Sequence, residues 1–409
     1  MTSSLEDALR DEWGRLLALL VAQFRRLDLA EEGLADAFEA AARTWPASGA
    51  PDNPPAWLLT AARRRILDVR RREATLARRM PLLEVDARVA EGAQHVMVDA
   101  GEAVTDERLR LVLLCAHPAV SREAAAALTL RLVLGVSTED IARLFLQQTT
   151  TMAARLTRAK QRLAGERFEV PGAGELPGRV ARVADVAYLA FTAGYAPGSG
   201  PDVVRAELAG EAIRLVRVLR DVLGAPGRPV DPELDALLAL MLLQHSRRDA
   251  RVRDGEVVLL PDQDRTLWRA GEIREALALL TPLVGAPPAP YLLQALIAAE
   301  HAVAPSSEAT AWDRVVARYD ELLALGDSPV VRLNRAVAVA ERDGAEAGLE
   351  ALDGVALRGH RLPAVRGELL ARAGRADEAR EAFDCAIALC GNDAERELLR
   401  RRRGGNGAP

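Results

Sequence analysis

Aromatic residues are scarce in this 409-residue chain, with six Phe, four Tyr and five Trp making 4% of it. No sustained alternation of Val, Ile and aromatics with polar residues occurs, so the strand pattern of a sandwich or barrel is missing. Cysteine is rarer still. Cys115, Cys385 and Cys390 form an odd, scattered set without a CxxC pair, which excludes a disulfide scaffold. The five histidines are well separated, so no local metal-ligand spacing is present and neither a metal nor a cofactor is expected. No apolar run reaches the roughly 18 residues of a membrane span. The opening MTSSLEDALRDEW is acidic, unlike a basic-then-apolar signal peptide. A cytoplasmic location with no membrane partner is the expectation.

What is abundant is Ala, Leu, Arg and Glu, all good helix formers, in a chain that is 49% hydrophobic and 28% charged. That composition rules out disorder and predicts an all-α protein of two or three domains. The net charge of −5 argues against nucleic acid at first sight. The average conceals a pattern. Residues 1–50 hold five basic and nine acidic side chains, whereas 60–80 hold eight arginines against Asp68 and Glu73. Residues 151–167 hold five basic groups against one acid, and 168–409 return to an acidic excess of 30 against 36. Two short basic segments therefore lie in an acidic chain.

The punctuation predicts four parts: helices over 1–80, a weakly periodic linker over 81–104, a strongly helical domain over 105–167, and a long helical series over 168–409. In the first part the stretch WPASGAPDNPPAW, Trp45 to Trp57, carries four prolines and is expected to be a loop. The following helix can bury Trp57, Leu58, Ile66 and Val69 and leave Arg63, Arg64, Arg70, Arg71 and Arg72 outside. A basic helix after an aromatic-flanked loop suits single-stranded DNA, with arginines on phosphates and an unstacked base in the loop. Two tryptophans packed in a core explain the same residues without DNA.

In the third part, STEDIARLFLQQTTTMAARLTRAKQRLA (Ser137 to Ala164) has the pattern of a helix-turn-helix, with Ser137 and Asp140 as a variant capping box. Ile141, Ala142 and Leu144 would pack the first helix, and Met152, Leu156 and Leu163 the inner face of the second. Thr149, Thr150 and Thr151 stand at its start, with Arg155, Arg158, Lys160 and Arg162 along it, as a major-groove helix requires. A solvated basic face is the plain alternative. In the fourth part the spacing Gly-x4-Ala recurs at Gly271/Ala276 and Gly374/Ala379. The second copy extends to Gly367, Phe383 and Ala386, a tetratricopeptide-like pattern, with an irregular bundle as the other reading. The segment DGEVVLLPDQDRTLW places Asp254, Glu256, Asp262 and Asp264 close in sequence, but no His, phosphate loop or nucleophile motif accompanies them, so no catalytic residues are assigned. Asp262, Gln263, Asp264 and Arg265 read instead as a polar turn anchored by Trp268.

Taken together, LDLAEEGLADAF, PDNPPAWLLTAARRRILDVRRR and HPAVSREAAAALTLRLVLGVSTEDIARLFLQQTTTMAARLTRAKQRL resemble the bacterial RNA polymerase sigma factors of the extracytoplasmic-function class over residues 10–165. The remainder, with LLPDQDR, resembles the subgroup with a C-terminal tetratricopeptide-like helical extension. The resemblance implies that core RNA polymerase and promoter DNA are partners. It implies that Asp28, Glu31, Glu32, Asp36 and Phe38 lie on the helix that binds core polymerase. Asp52, Asn53, Trp57, Arg63, Arg64 and Arg70 would bind the −10 element, and Thr149, Thr150, Thr151, Arg155, Arg158, Lys160 and Arg162 the −35 duplex. Ala35-Asp36 stands where the family often has Gln-Glu, and Ala153 and Ala154 replace larger polar residues, leaving more to thymine methyls and indirect readout. The C-terminal domain is expected to pack on the two sigma-like domains, with the turn at Asp262, Gln263, Asp264, Arg265 and Trp268 at a helix junction or at that interface. The rival reading is a helix-turn-helix regulator with a repeat-type sensor domain acting directly on an operator.

Overall fold

A computed structural model describes residues 2–76, 101–145, 147–172, 174–195, 206–224, 231–253 and 256–405. These are mostly helical, as the composition predicts, and the strand content among them is one antiparallel pair, β1 (Val252–Arg253) and β2 (Glu256–Val257). Contacts divide the chain into two units, Met1–Leu189 with Arg217–Pro229, and Ala190–Val216 with Val230–Pro409. The expected linker lies outside the described residues except for 101–104, which form the first turn of a helix.

The first unit is organised around α1 (Thr2–Phe24), which packs against α2 (Leu27–Ser48), α3 (Pro54–Leu76), α4 (Gly101–Cys115) and α5 (Arg122–Leu132). Trp13, Leu16, Leu17, Leu20, Val21 and Phe24 recur at helical spacing and are buried. Helix α1 thus meets α2 and α3 as well as α4 and α5, and at Gly14 it runs so near the end of α5 that a Cβ would strike the Val133 carbonyl oxygen. Any side chain there collides with backbone. The partner turn is fixed by Gly135, with φ of +72° against the Trp13 ring.

The Trp45-to-Trp57 loop is much shorter than its prolines suggest. Helix α2 passes through Pro46 to Ser48, and Gly49 (φ +80°) closes it by donating to the Trp45 carbonyl at 2.9 Å. Helix α3 then starts on Pro54, leaving only 49–53 between them. Pro46 sits in the last turn, where one lost hydrogen bond is tolerated, and Pro54 and Pro55 occupy first-turn positions that need no amide donor. Trp45 and Trp57 meet edge to face at 5.5 Å across this corner.

Helices α6 (Thr138–Leu144) and α7 (Thr149–Leu163) complete the compact arrangement with α5. Beyond them the chain stays with the first unit: Phe168 is buried, its carbonyl accepts from Arg25 at 3.2 Å, and the start of α8 (Leu176–Tyr195) docks where Arg182 donates to the Val120 carbonyl at 2.6 Å. The division between units runs through α8 and α9 (Ala206–Leu223).

In the second unit α10 (Pro232–His245) is buried on nearly every side, and its sequence PELDALLALMLLQH is correspondingly apolar all round. It packs on α11 (Ala270–Leu280) and α12 (Pro290–Val303). Glu233 accepts from the first-turn N–H groups of Tyr291 and Leu292, both at 2.9 Å, at the start of α12. Consecutive neighbours then pack in turn: α13 (Trp312–Leu325), α14 (Pro329–Asp343), α15 (Ala345–Ala351), α16 (Arg361–Arg372), α17 (Ala376–Leu389) and α18 (Asp393–Arg403). Of the glycines picked out by the recurring spacing, Gly271 and Gly374 have no neighbour within 4 Å of a Cβ, and Gly367 alone marks a close approach. A Cβ on Gly367 would meet the Phe383 ring at 3.1 Å, and Ala379, Phe383 and Ala386 are buried in that hairpin.

His301, in the last turn of α12, sits edge-on to Trp312 at 5.3 Å, and its pKa is pushed down to about 4 by burial and then by Arg247 and Arg265. The unfolded chain takes up this proton near 6.5 and the folded chain only near 4. Between those values the unfolded state binds more protons, so stability falls as pH falls. Urea unfolding at stepped pH is expected to show wild type losing about 1–3 kcal/mol across that window relative to His301→Gln. Parallel curves for the two proteins would contradict the assignment.

Candidate functional site

Over Ser137 to Ala164 the structure has two helices, α6 and α7, joined by a short turn. Ser137 caps α6 by accepting from the Asp140 amide at 3.0 Å, and the Asp140 carboxylate turns back to the Ser137 hydroxyl at 2.6 Å. Ile141 and Ala142 are buried, as are Met152, Leu156, Ala159 and Leu163 of α7. Thr149, Thr150, Thr151, Arg158 and Arg162 are exposed. At about 100° per residue Thr151, Arg155, Arg158 and Arg162 form one line along α7, with Lys160 roughly opposite Thr151. Arg155 is half-buried beside the Glu123 carboxylate at 3.5 Å. Lys160 therefore does not share the outward face assigned to it in sequence.

The corner between α2 and α3 places the next set. Asn53 is a helix cap, its side-chain oxygen accepting from the Ala56 amide at 3.1 Å, while Asp52 beside it is exposed. Along α3, Leu58, Leu59, Ala62 and Ile66 are buried, and Trp57 and Val69 are half-buried. Arg64, Arg70, Arg71 and Arg72 are exposed, Arg64 and Arg71 on the side away from the buried residues. Arg63 is half-buried, its pKa lowered by burial, and its Nε finds no hydrogen-bond acceptor among the described residues. The buried indole N–H of Trp45 is likewise unmatched. Arg65 is tied across to Asp36 at 2.5 Å.

The acidic helix α2 splits into two kinds of position. Asp28 and Glu32 are exposed, and Asp28 is held below the usual carboxylate range by a two-pronged hydrogen bond from Arg26 at 2.7 and 2.9 Å. Phe38, expected to face a partner, is buried against Trp13 with ring centres 5.7 Å apart. Glu31 is also buried, at 7% exposure. Its two oxygens accept from Arg131 of α5 at 2.6 Å and from Lys160 of α7 at 2.8 Å. Arg131 also lies over the Trp13 ring at 5.3 Å and donates to the Val136 carbonyl at 3.3 Å. Sequence reasoning assigned Glu31 to one partner and Lys160 to another; the fold joins them to each other. No sequence signal marks this contact, whose members are 100 and 129 residues apart.

The polar turn lies within the second unit. Asp264 accepts from the Thr266 amide at 2.9 Å and hydroxyl at 2.6 Å, and Gln263 donates to the Val258 carbonyl at 3.1 Å. Arg265 donates to the His301 and Ala304 carbonyls, at 2.7 and 2.8 Å, capping the end of α12. Its guanidinium rests 4.5 Å from the centre of the buried Trp268 ring. Asp262 pairs with Arg402 at 3.7 Å and Glu256 with Arg401, while Asp254 lies outside the described residues. Leu260, Pro261, Asp262 and Gln263 line one wall of a cavity of about 870 Å³, opposite residues of α16 and α18.

Compared with known proteins, residues 179–283 match a family of unknown function, DUF6596. An uncharacterized protein of Rhizobium meliloti (strain 1021) is 43% identical over 409 residues, spanning 98% of this chain and 95% of that protein. The chain belongs to the same family as that Rhizobium protein. No solved structure matches it. The likeness to the Rhizobium relative thus takes in both units, whereas the DUF6596 segment covers α8 to the turn after α11, including Asp262, Gln263, Asp264, Arg265 and Trp268.

Removing the charge of a buried carboxylate leaves two partly buried cationic partners uncompensated. Glu31→Gln is therefore expected to destabilise the first unit by about 2–4 kcal/mol in chemical denaturation. Glu32→Gln, at an exposed position one residue along, should change stability by less than about 0.5 kcal/mol. Equal effects at the two positions would contradict the placement of Glu31.

Proposed function

We propose that this protein is an RNA polymerase sigma factor of the extracytoplasmic-function class, acting in the cytoplasm. In this reading it brings core polymerase to promoters, reads the −35 duplex with α7, and opens and holds the −10 element at the α2–α3 corner. The observation that carries the reading is the outward line of Thr151, Arg155, Arg158 and Arg162 on a capped two-helix motif. It lies in the same unit as the exposed Arg64, Arg70, Arg71 and Arg72 of α3. Arginines on α7 suit guanine edges and phosphates in a major groove, and threonine hydroxyls at its start suit phosphates. Asp28 and Glu32 offer an acidic surface to a basic helix of the core enzyme, where charge complementarity sets orientation and association rate. An acidic protein can bind DNA in this way because the core enzyme supplies most of the electrostatic attraction. The helices after α9, of tetratricopeptide type in this reading, act as the fused control domain.

Transcription with purified core polymerase on fragmented genomic DNA, with the 5′ ends of the products mapped, tests the proposal. The chain is expected to direct initiation from a small set of sites sharing two elements. Arg158→Ala should lower it by about 1–3 kcal/mol if the contact is to a base edge, and less if it is to phosphate. Replacing both Asp28 and Glu32 by Arg should weaken core binding without changing the circular dichroism. A folded chain that initiates nothing without another sigma factor would instead identify an operator-binding regulator, which the exposed α7 also suits.

A further inference from the structure

His360, Cys390 and Glu395 come together although no two of them form a sequence motif. His360 precedes α16, Cys390 follows α17, and Glu395 lies in the first turn of α18. One donor atom from each side chain lies within 4.8 Å of the other two, and His360 Nε2 is 3.1 Å from Glu395 Oε2. The ligand types are an imidazole, a thiol and a carboxylate. We propose that these three residues form a binding site for a single Zn²⁺ ion, with the fourth position taken by water from the adjoining cavity.

The donor chemistry selects the metal. A mixed N, S, O set suits borderline-soft Zn²⁺, whereas Mg²⁺ and Ca²⁺ require oxygen ligands throughout. A thiolate and a carboxylate balance the two positive charges, so the loaded site is neutral and its partial burial costs little. Zinc takes the Cys390 sulfur as thiolate, so metal uptake is coupled to release of about one proton to solvent.

The surrounding residues hold the ligands in place. Asn392, 1% exposed, accepts from the Glu395 amide at 3.0 Å and so fixes the start of α18. Its own carbonyl accepts the Cys390 thiol at 3.4 Å. Arg396, the nearest guanidinium on α18, is directed to the Cys390 carbonyl at 2.6 Å and to Asp393 at 2.7 Å rather than to the thiol. His360 and Glu395 line the cavity of about 870 Å³, which gives a metal ion and its water a route in. Zinc–ligand bonds of about 2.0–2.3 Å place the donors roughly 3.3–3.8 Å apart, so the sulfur draws in while the imidazole and carboxylate, now 3.1 Å apart, move slightly apart. A bound ion would pin the start of α18 to α16 and α17, whose shared core includes Leu370, Phe383 and Leu399.

The experiment uses tag-free, full-length protein, stripped with chelator and then titrated with Co²⁺ or Zn²⁺. Wild type is expected to bind one Co²⁺ per chain with a thiolate-to-cobalt charge-transfer band in the near ultraviolet, and Zn²⁺ should displace it and raise the melting temperature. The same band should appear in Cys385→Ser, because Cys385 is exposed and apart from the cluster. Cys390→Ser should lose the band and bind at least about tenfold more weakly, with unchanged circular dichroism. His360→Ala should weaken binding while keeping a sulfur signature. Absence of the band in wild type, or a band that survives Cys390→Ser, overturns the proposal; the wild-type spectrum decides this even if a variant fails to fold.

Discussion

A single buried carboxylate, Glu31, determines how the first unit is assembled. It lies on α2 and accepts from one cation on α5 and another on α7, so three helices from separate stretches of chain converge on its two oxygens. A buried carboxylate with well-placed partners is expensive to strand, because it has already been stripped of water. The apolar contact alongside is equally specific: Gly14 admits the Val133 backbone, and Trp13 is enclosed by Phe38, Gly135 and the Arg131 guanidinium. These contacts hold the 1–76 helices and the helix-turn-helix in one relative position.

That position has a functional cost under the proposed reading. Glu31 belongs to the helix that would face core polymerase, and Lys160 to the helix that would face DNA, yet each neutralises the other. Phe38 is committed to Trp13 in the same way. The free protein is then a closed form in which part of each binding surface is used internally. Asp28, Glu32, Arg158 and Arg162 remain outside for first encounter. Opening would exchange the Glu31 ion pairs for contacts with the partner, a differential interaction of the kind needed to shift a two-state equilibrium.

Local features were legible in the sequence because their causes are local. The Ser137 cap, the inner face of α7 at Met152, Leu156 and Leu163, and the basic outer face of α3 all follow from helical periodicity and capping chemistry. The anchoring of Trp268 and the bonded polar turn before it were also readable from composition. The prolines from 46 to 55 misled in one respect, since Pro46 falls in a last turn and Pro54 in a first turn, where a missing N–H does little harm. What was not legible was long-range. Glu31 with Lys160, or His360 with Cys390 and Glu395, are brought together by packing, and no one-dimensional spacing encodes them. The facing of Lys160 was a matter of angle: two residues beyond Arg158 on a helix is nearly the opposite side.

Under the proposed reading, the Glu31 contact keeps the first unit closed until core polymerase opens it. Spin labels at Ala42→Cys and Ala154→Cys, both exposed positions, report the distance between α2 and α7 in a chain carrying Cys385→Ser to remove the exposed native thiol. Pulsed dipolar spectroscopy is expected to give one narrow distance distribution in the free protein and a longer one when core polymerase is added in excess. A distribution that stays the same with core polymerase demonstrably bound would contradict the account.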